Sequence, residues 1–201
     1  MSPAFVGPEN PLVLASASPR RVSLLSQVGL PFVSVTSGIE ESILPGGPLE
    51  EARRLAREKA LAVRAAHKNS WILGADTVVV LGERVLGKPV DREDARSMLE
   101  RLSGREHSVI TGFSIAGPSG VEHADAVATL VRFKSLTRLE VDGYVATGEP
   151  FGKAGAYAIQ GLGVFMVESI TGSYSNVVGL PLCEVIQALL RAGALESFPM
   201  K

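Results

Sequence analysis

The segment LVLASASPRR, residues 12–21, passes from an apolar run into small hydroxyl residues, a proline and two arginines. Its aliphatic residues predict a buried strand, and Ser18 is placed to cap a following helix by accepting a hydrogen bond from a backbone N–H. Pro19 suits the first helical position, where no amide hydrogen is needed. The segment therefore predicts a strand, a polar turn and a helix in this order.

The same turn gathers groups that can hold an anion. The hydroxyls of Ser16 and Ser18, the guanidinium groups of Arg20 and Arg21, and the first N–H groups of the helix would converge on one spot. Phosphates bind at helix N-termini through such groups. The alternative is an ordinary connection with a solvated arginine pair, and the local pattern favours neither interpretation.

Composition limits the class of protein. The chain has 201 residues, of which 46% are hydrophobic and 20% are charged, and its net charge is -1. These values predict a globular protein with a sizeable core, and they argue against disorder, membrane insertion and broad nucleic-acid binding. The single cysteine, Cys183, allows no internal disulfide, which favours a reducing compartment and a cytoplasmic location. Residues 1–11 hold three prolines and predict a loose lead-in.

Strand and helix patterns alternate in the first half of the chain, and strands cluster later. This order predicts an α/β fold with a mixed sheet. The predicted strands lie at 32–35, 71–81, 108–116, 124–133 and 164–170, and a short hairpin follows residue 81. The predicted helices lie at 49–67, 91–102, 137–147 and 182–190, and residues 172–176 predict a polar loop.

Two charged residues interrupt apolar patterns. Lys59 lies on the apolar stripe of the helix predicted at 49–67, where its side chain either extends along the surface to water or points at a bound phosphate; the first is the commoner arrangement. Asp76 lies in the middle of an apolar strand, so it needs a cation, a metal or hydrogen-bond donors. A site is favoured over a structural carboxylate because Gly74 and Ala75 leave room for a ligand.

Polar residues that interrupt apolar or glycine-rich patterns form a short set. Its members are Ser16, Arg20, Arg21, Lys59, Asp76, Lys88, Lys153 and Gln160. Several cations with a carboxylate suit a polyanion that binds with a divalent metal, as a nucleoside triphosphate does.

Ordered motifs carry a resemblance to a known family. They include ASASPRR at 15–21, AREKA at 56–60, GADT at 74–77, GKP at 87–89, KAGAY at 153–157, IQG at 159–161 and NVVGLP at 176–181. Together they resemble the Maf family of nucleoside triphosphate pyrophosphatases over nearly the whole chain. The resemblance implies a single Maf-like domain over 1–201 with a Maf/ITPase-like fold, in which an elongated mixed sheet flanked by helices forms two lobes around a central cleft.

The resemblance also implies an activity, namely hydrolysis of a nucleoside triphosphate between the α and β phosphates. Asp76 matches the family's proton acceptor, and Lys59, Lys88 and Arg21 match its phosphate-binding cations. A Mg²⁺ or Mn²⁺ ion is expected near Asp76 and Glu40. The residues expected to bind substrate are Ser16, Arg20, Arg21, Thr77, Lys153 and Gln160.

The IQG motif bears on substrate choice within the family. In this motif the chain resembles the branch that acts on dTTP and UTP in a house-cleaning role. Arg20, Thr77 and Gln160 match the positions that are associated with substrate choice in the family. The departures Gly152 and Ala158 replace residues usual in the family and bear on that choice. Alternatives are a 7-methyl-GTP pyrophosphatase and a non-catalytic nucleotide-binding regulator of cell division. A homodimer is expected by resemblance.

Overall fold

A computed structural model describes residues 5–39 and 46–198 of the chain. The helices are α1 (Pro19–Gln27), α2 (Pro48–Arg64), α3 (Arg92–Leu102), α4 (Arg138–Ala146), α5 (Tyr174–Val178) and α6 (Leu182–Arg191). The strands are β1 (Leu12–Leu14), β2 (Phe32–Ser34), β3 (Ile72–Leu81), β4 (Arg84–Leu86), β5 (Glu106–Gly117), β6 (Gly120–Phe133) and β7 (Val167–Thr171). Short 3-10 helices occupy Ala154–Ala156 and Leu162–Met166.

Seven strands form one mixed sheet, which confirms the predicted fold class. The strand order is β2-β1-β3-β5-β6-β7, and β4 pairs with β3 beside this path. Strand β1 runs parallel to both β2 and β3, whereas β4 is antiparallel to β3 and β7 is antiparallel to β6. The described residues contain no helix long and apolar enough to cross a membrane.

The chain divides into two compact units. Unit 1 comprises the described residues within 1–76, 111–127 and 179–201, and unit 2 comprises 77–110 and 128–178. In unit 1, helix α2 places Ala60 and Val63 in a core cluster with Val13, Ile72 and Ala116. In the N-terminal segment, Val6 is buried and its N–H donates to the carbonyl of Ala194 at 2.8 Å.

Two glycines let helix α2 lie against the strands of unit 1. A Cβ added at Gly74 of β3 would lie 2.1 Å from the carbonyl oxygen of Ala56, and one added at Gly112 of β5 would lie 2.1 Å from that of Ala52. Real Cβ contacts are essentially never shorter than 3.0 Å. The absence of side chains at these two positions therefore fixes how closely the helix that carries Lys59 approaches the strands.

Unit 2 packs helices α3 and α4 around a core that contains Leu99, Phe133 and Tyr144. Both helices begin as predicted. Asp91 caps α3 by accepting the N–H of Asp94 at 2.8 Å, and Thr137 forms a capping box with Glu140 at the start of α4. These caps satisfy N–H groups that have no partner inside the helix.

Three local predictions were wrong. Ser18 precedes α1 but its side chain makes no capping bond; instead the Ser16 hydroxyl accepts the Ser18 N–H at 3.3 Å. The strand predicted at 164–170 begins only at Val167, because 162–166 turns as a 3-10 helix. The polar loop predicted at 172–176 contains the start of α5, because the Ser173 hydroxyl accepts the Asn176 N–H at 3.3 Å.

His107 is a buried titratable group in the core of unit 2. Its side chain is only 2% exposed, and burial lowers its pKa to about 4. The Nε2 atom lies 2.9 Å from the hydroxyl of Tyr157, and the imidazole packs edge-on against the rings of Tyr157 and Phe133. The folded protein therefore holds this imidazole neutral.

We expect this burial to make the fold sensitive to mild acid. The unfolded chain takes up a proton at His107 below about pH 6.5, whereas the folded chain does so only near pH 4, so the free energy of unfolding falls as the pH drops between these values. The loss amounts to about 3 kcal/mol at its limit. Urea unfolding at pH 7.5 and pH 4.5 measures it. His107→Gln should reduce the pH dependence and His67→Gln should leave it unchanged; equal pH dependence in all three proteins would contradict the assignment.

Candidate active site

The turn after β1 is held by a buried arginine. Arg21 on α1 is buried; its Nε donates to the carbonyl of Gly179 at 2.8 Å and its Nη1 donates to the Ser16 hydroxyl at 3.0 Å. The Ser34 hydroxyl donates to the Ser16 carbonyl at 2.6 Å. The guanidinium of Arg21 thus binds the turn that precedes its own helix, and it is not part of a solvated arginine pair. Arg20 is half-buried on the same helix.

Lys59 and Asp76 form an ion pair inside unit 1. The Lys59 Nζ lies 2.5 Å from Asp76 Oδ1, and the two residues are only 7% and 6% exposed. Of the two arrangements that the sequence left open for Lys59, the structure therefore excludes the one in which its side chain extends along the surface to water. Asp76 obtains the cation that its position in an apolar strand demands. Removing either partner would leave a buried charge, so this pair strongly constrains both side chains.

The parallel register of β1 and β3 places the Ser16 turn and Asp76 beyond the same pair of residues, in the same direction along the two strands. Leu14 pairs with Leu73, and the N–H of Ala15 donates to the carbonyl of Leu73 at 2.8 Å. Ser16 and Asp76 lie two and three residues beyond this pair. Ligands in α/β folds bind beside the carboxyl ends of strands. The Ser16 turn follows the carboxyl end of β1, and Asp76 lies three residues beyond Leu73 within β3.

Unit 2 contains the remaining predicted residues. Lys88 is exposed in the loop after β4, and the N–H of Gly155 donates to the carbonyl of Gly87 at 3.0 Å, which joins this loop to the segment that follows Lys153. Lys153 Nζ donates to the carbonyl of Glu149 at 2.5 Å. Gln160 is exposed. Thr77, which follows Asp76 in β3, is half-buried.

Sequence reasoning missed two residues that hold these segments. Glu149 accepts hydrogen bonds from Tyr144 and from the segment that follows Gln160. Asn176 is fully buried, and its side-chain amide donates to the carbonyl of Val109 and to the hydroxyl of Thr129, both at 3.0 Å. Each is a polar residue in a short motif: Glu149 lies in GEP at 148–150, and Asn176 begins the NVVGLP motif at 176–181.

The possible metal ligands among the described residues can be compared with the ligands that a divalent cation requires. Residues 5–39 and 46–198 contain no group of three His, Cys, Asp or Glu side chains that could hold a metal. Glu40, the second expected ligand, lies outside the described residues. Mg²⁺ in nucleotide-binding proteins is commonly held by one or two carboxylates together with substrate phosphates and water. Asp76 therefore fits a cation that arrives with a triphosphate.

Sequence similarity over most of the chain shows the family to which this protein belongs. Residues 11–192 match the family model described as Maf-like protein, and the chain belongs to this family. It is 54% identical over 191 residues to the dTTP/UTP pyrophosphatase of Syntrophotalea carbinolica, covering 93% of this chain and 87% of that protein.

A second relative is the dTTP/UTP pyrophosphatase of Geobacter sulfurreducens, at 52% identity over 187 residues, with 92% of this chain and 97% of that protein covered. Among solved structures, a nucleoside-triphosphatase / dITP/XTP pyrophosphatase from Mycobacterium abscessus aligns with a TM-score of 0.43 and 16% identity. That alignment covers 92% of this chain and 96% of the other.

Proposed function

We propose that this protein hydrolyses dTTP and UTP to the nucleoside monophosphate and pyrophosphate. The observation that carries the proposal is the buried pair of Lys59 and Asp76, 2.5 Å apart, which holds a carboxylate in β3 three residues beyond Leu73, the partner of the last residue before the Ser16 turn. Relatives that are 52–54% identical over more than nine-tenths of this chain are named dTTP/UTP pyrophosphatase, which supports the choice of substrates.

Asp76 is the proton acceptor in this proposal. It takes a proton from a water molecule whose oxygen attacks the α-phosphorus; the bond from that phosphorus to the bridging oxygen of the β-phosphate breaks, and pyrophosphate leaves. The ammonium of Lys59 orients the carboxylate, because the two side chains are in direct contact. Cationic side chains that are already in position stabilise the negative charge that develops on the transferring phosphoryl group.

The other predicted residues bind substrate in this proposal. Lys88 and Lys153 contact phosphate oxygens, and Arg21 acts mainly by fixing the Ser16 turn, since two of its N–H groups already bind protein atoms. The amide of Gln160 offers a donor and an acceptor to the edge of uracil or thymine. Arg20 and Thr77 contribute to substrate choice, as the family resemblance implies.

A divalent cation, a homodimer and a cytoplasmic location complete the proposal. Mg²⁺ or Mn²⁺ would be held by Asp76, by Glu40 and by substrate phosphates, and would neutralise charge on the triphosphate. The single cysteine is consistent with a reducing compartment.

Product analysis with labelled water tests the reaction. Purified protein with Mg²⁺ or Mn²⁺ is incubated in H₂¹⁸O with UTP, dTTP, CTP and 7-methyl-GTP, and products are separated by anion exchange. We expect equal amounts of monophosphate and pyrophosphate from UTP and dTTP, with ¹⁸O in the monophosphate because water attacks the α-phosphorus. Orthophosphate as the product, or no turnover, would refute the pyrophosphatase proposal. A preference for 7-methyl-GTP would refute only the choice of substrates.

A further inference from the structure

Glu149 joins both ends of the segment that carries Gln160. Its Oε1 accepts the hydroxyl of Tyr144 at 2.8 Å and the N–H of Gly163 at 3.0 Å, and its Oε2 accepts the N–H of Leu162 at 3.0 Å. The same Tyr144 hydroxyl accepts the N–H of Ala158 at 3.2 Å. One carboxylate and one phenol thus hold residues 158 and 162–163, the positions on either side of Gln160.

The surroundings of the Glu149 carboxylate favour its charged form. Partial burial alone would raise the pKa of Glu149, but the hydrogen bonds from Gly163, Leu162 and Tyr144 outweigh it and lower the pKa below its usual value. The two N–H donors open the 3-10 helix at 162–166, where backbone N–H groups have no helical partner. An ionised acceptor makes stronger hydrogen bonds than a neutral one. The carboxylate therefore holds this turn more firmly than an amide of the same shape could.

Gly161 lies so close to the Glu149 carboxylate that there is no room for a side chain at this position. A Cβ at this position would lie 2.3 Å from Glu149 Oε2, so any side chain here would push the two apart. The N–H of Gly161 reaches the carbonyl of Ala158 at 3.4 Å, which closes a turn. Within that turn Gln160 is exposed while its neighbour Ile159 is buried. The turn presents the Gln160 amide outward.

The main chain of Glu149 also holds Lys153. The carbonyl of Glu149 accepts the Lys153 Nζ at 2.5 Å, and the N–H of Glu149 donates to the Thr147 hydroxyl at 3.1 Å. Two of the residues expected to bind substrate, Lys153 and Gln160, are thus held by contacts that meet at one residue. Glu149 itself is not among the expected substrate-binding residues.

We propose that Glu149 is a positioning residue for nucleobase selection, which acts by holding the turn that presents Gln160. The inference rests on the proposed function, because it assigns to Gln160 the recognition of uracil or thymine. Glu149 contacts no substrate in this proposal. Its loss therefore affects the choice of base and the binding of the correct nucleotide more than the chemical step.

Glu149→Gln is the central variant, since it keeps the shape but replaces one acceptor oxygen with an amide that faces N–H donors. We expect the preference for UTP over CTP, as the ratio of kcat/KM values, to fall at least about tenfold through a higher KM for UTP, with kcat within about threefold of the wild type. Gly161→Ala keeps the charge of the carboxylate but pushes it and the turn apart, and should lower the same ratio. Glu140→Gln, which weakens the cap of α4, should leave the ratio unchanged.

Hydrogen exchange provides a readout independent of turnover. Without nucleotide, the amides of residues 158–166 should exchange faster in Glu149→Gln than in the wild type and remain unchanged in Glu140→Gln. If Glu149→Gln fails to fold, Tyr144→Phe removes one donor and one acceptor of the same set and should lower the ratio in the same direction.

The outcomes separate the two proposals. A wild-type protein that releases no pyrophosphate from any triphosphate refutes the proposed function, and the inference falls with it. A wild-type protein that prefers UTP, beside a Glu149→Gln variant with the same preference, refutes the inference alone. A fall in kcat with the preference unchanged also refutes it, because that result would place Glu149 in the chemical step.

Discussion

Asp76→Asn is expected to lower kcat for UTP by about 10²- to 10⁴-fold, the usual contribution of a positioned general base. The amide keeps the size of the side chain but cannot take a proton from water. Nucleotide affinity should change far less, because the variant retains Lys88 and Lys153, the residues that contact phosphate oxygens in the proposal. Pyrophosphate release measures kcat, and calorimetric titration with UTP in the presence of the metal measures binding.

Folding has to be separated from chemistry in this experiment. Breaking a buried ion pair by removing one partner costs about 3–5 kcal/mol, so the folded fraction of Asp76→Asn is measured by urea unfolding. The double variant Lys59→Met with Asp76→Leu removes both charges and should recover stability without activity. Asp125→Asn, the same substitution on an exposed residue of β6, should match the wild type. Turnover of Asp76→Asn within threefold of the wild type would exclude Asp76 as the proton acceptor.

The Lys59 side chain shows where local sequence patterns are informative and where they are not. The helical stripe correctly predicted that Lys59 faces inward, and the apolar strand correctly predicted that Asp76 needs a partner. Lys59 and Asp76 are 17 residues apart in the sequence, and no local pattern states which helix residue lies opposite which strand residue. That pairing depends on how close α2 lies to β3, which Gly74 sets. The ion pair could therefore be identified only once the packing of α2 against β3 was known.

The errors at 164–166, predicted as a strand, and at 174–176, predicted as a loop, have a related cause. Apolar residues from Val164 onward predicted a strand, because a short apolar run does not distinguish a strand from a helical turn. The 3-10 helix at 162–166 is stabilised by Glu149, which accepts the N–H groups of Leu162 and Gly163 although it lies 13 and 14 residues away in the sequence. The caps at Asp91 and Thr137, by contrast, were predicted correctly because both partners lie within three residues.

Gly112→Ala is expected to destabilise the protein by about 3 kcal/mol or more, since overpacking against a rigid backbone is costlier than against a side chain. The added Cβ would lie 2.1 Å from the carbonyl oxygen of Ala52 and 2.5 Å from the backbone nitrogen of Arg53. These are main-chain atoms of α2 and cannot rotate away. The helix must therefore move outward, and Gly74→Ala should force a similar movement through Ala56 and Ala60.

The same displacement should reduce activity in the molecules that remain folded. Lys59 lies between Ala56 and Ala60 on α2, so an outward shift of this helix lengthens the 2.5 Å contact between Lys59 Nζ and Asp76 Oδ1. Urea unfolding measures stability, and kcat per folded molecule measures the second effect. Gly143→Ala is the control: it lies inside α4 with no atom within 4 Å of the new Cβ, and should stabilise by about 0.5–1 kcal/mol. If Gly112→Ala unfolds at the same urea concentration as the wild type and has the same kcat, α2 does not lie this close to β5. The proposed link between the position of α2 and the contact of Lys59 with Asp76 would then be refuted.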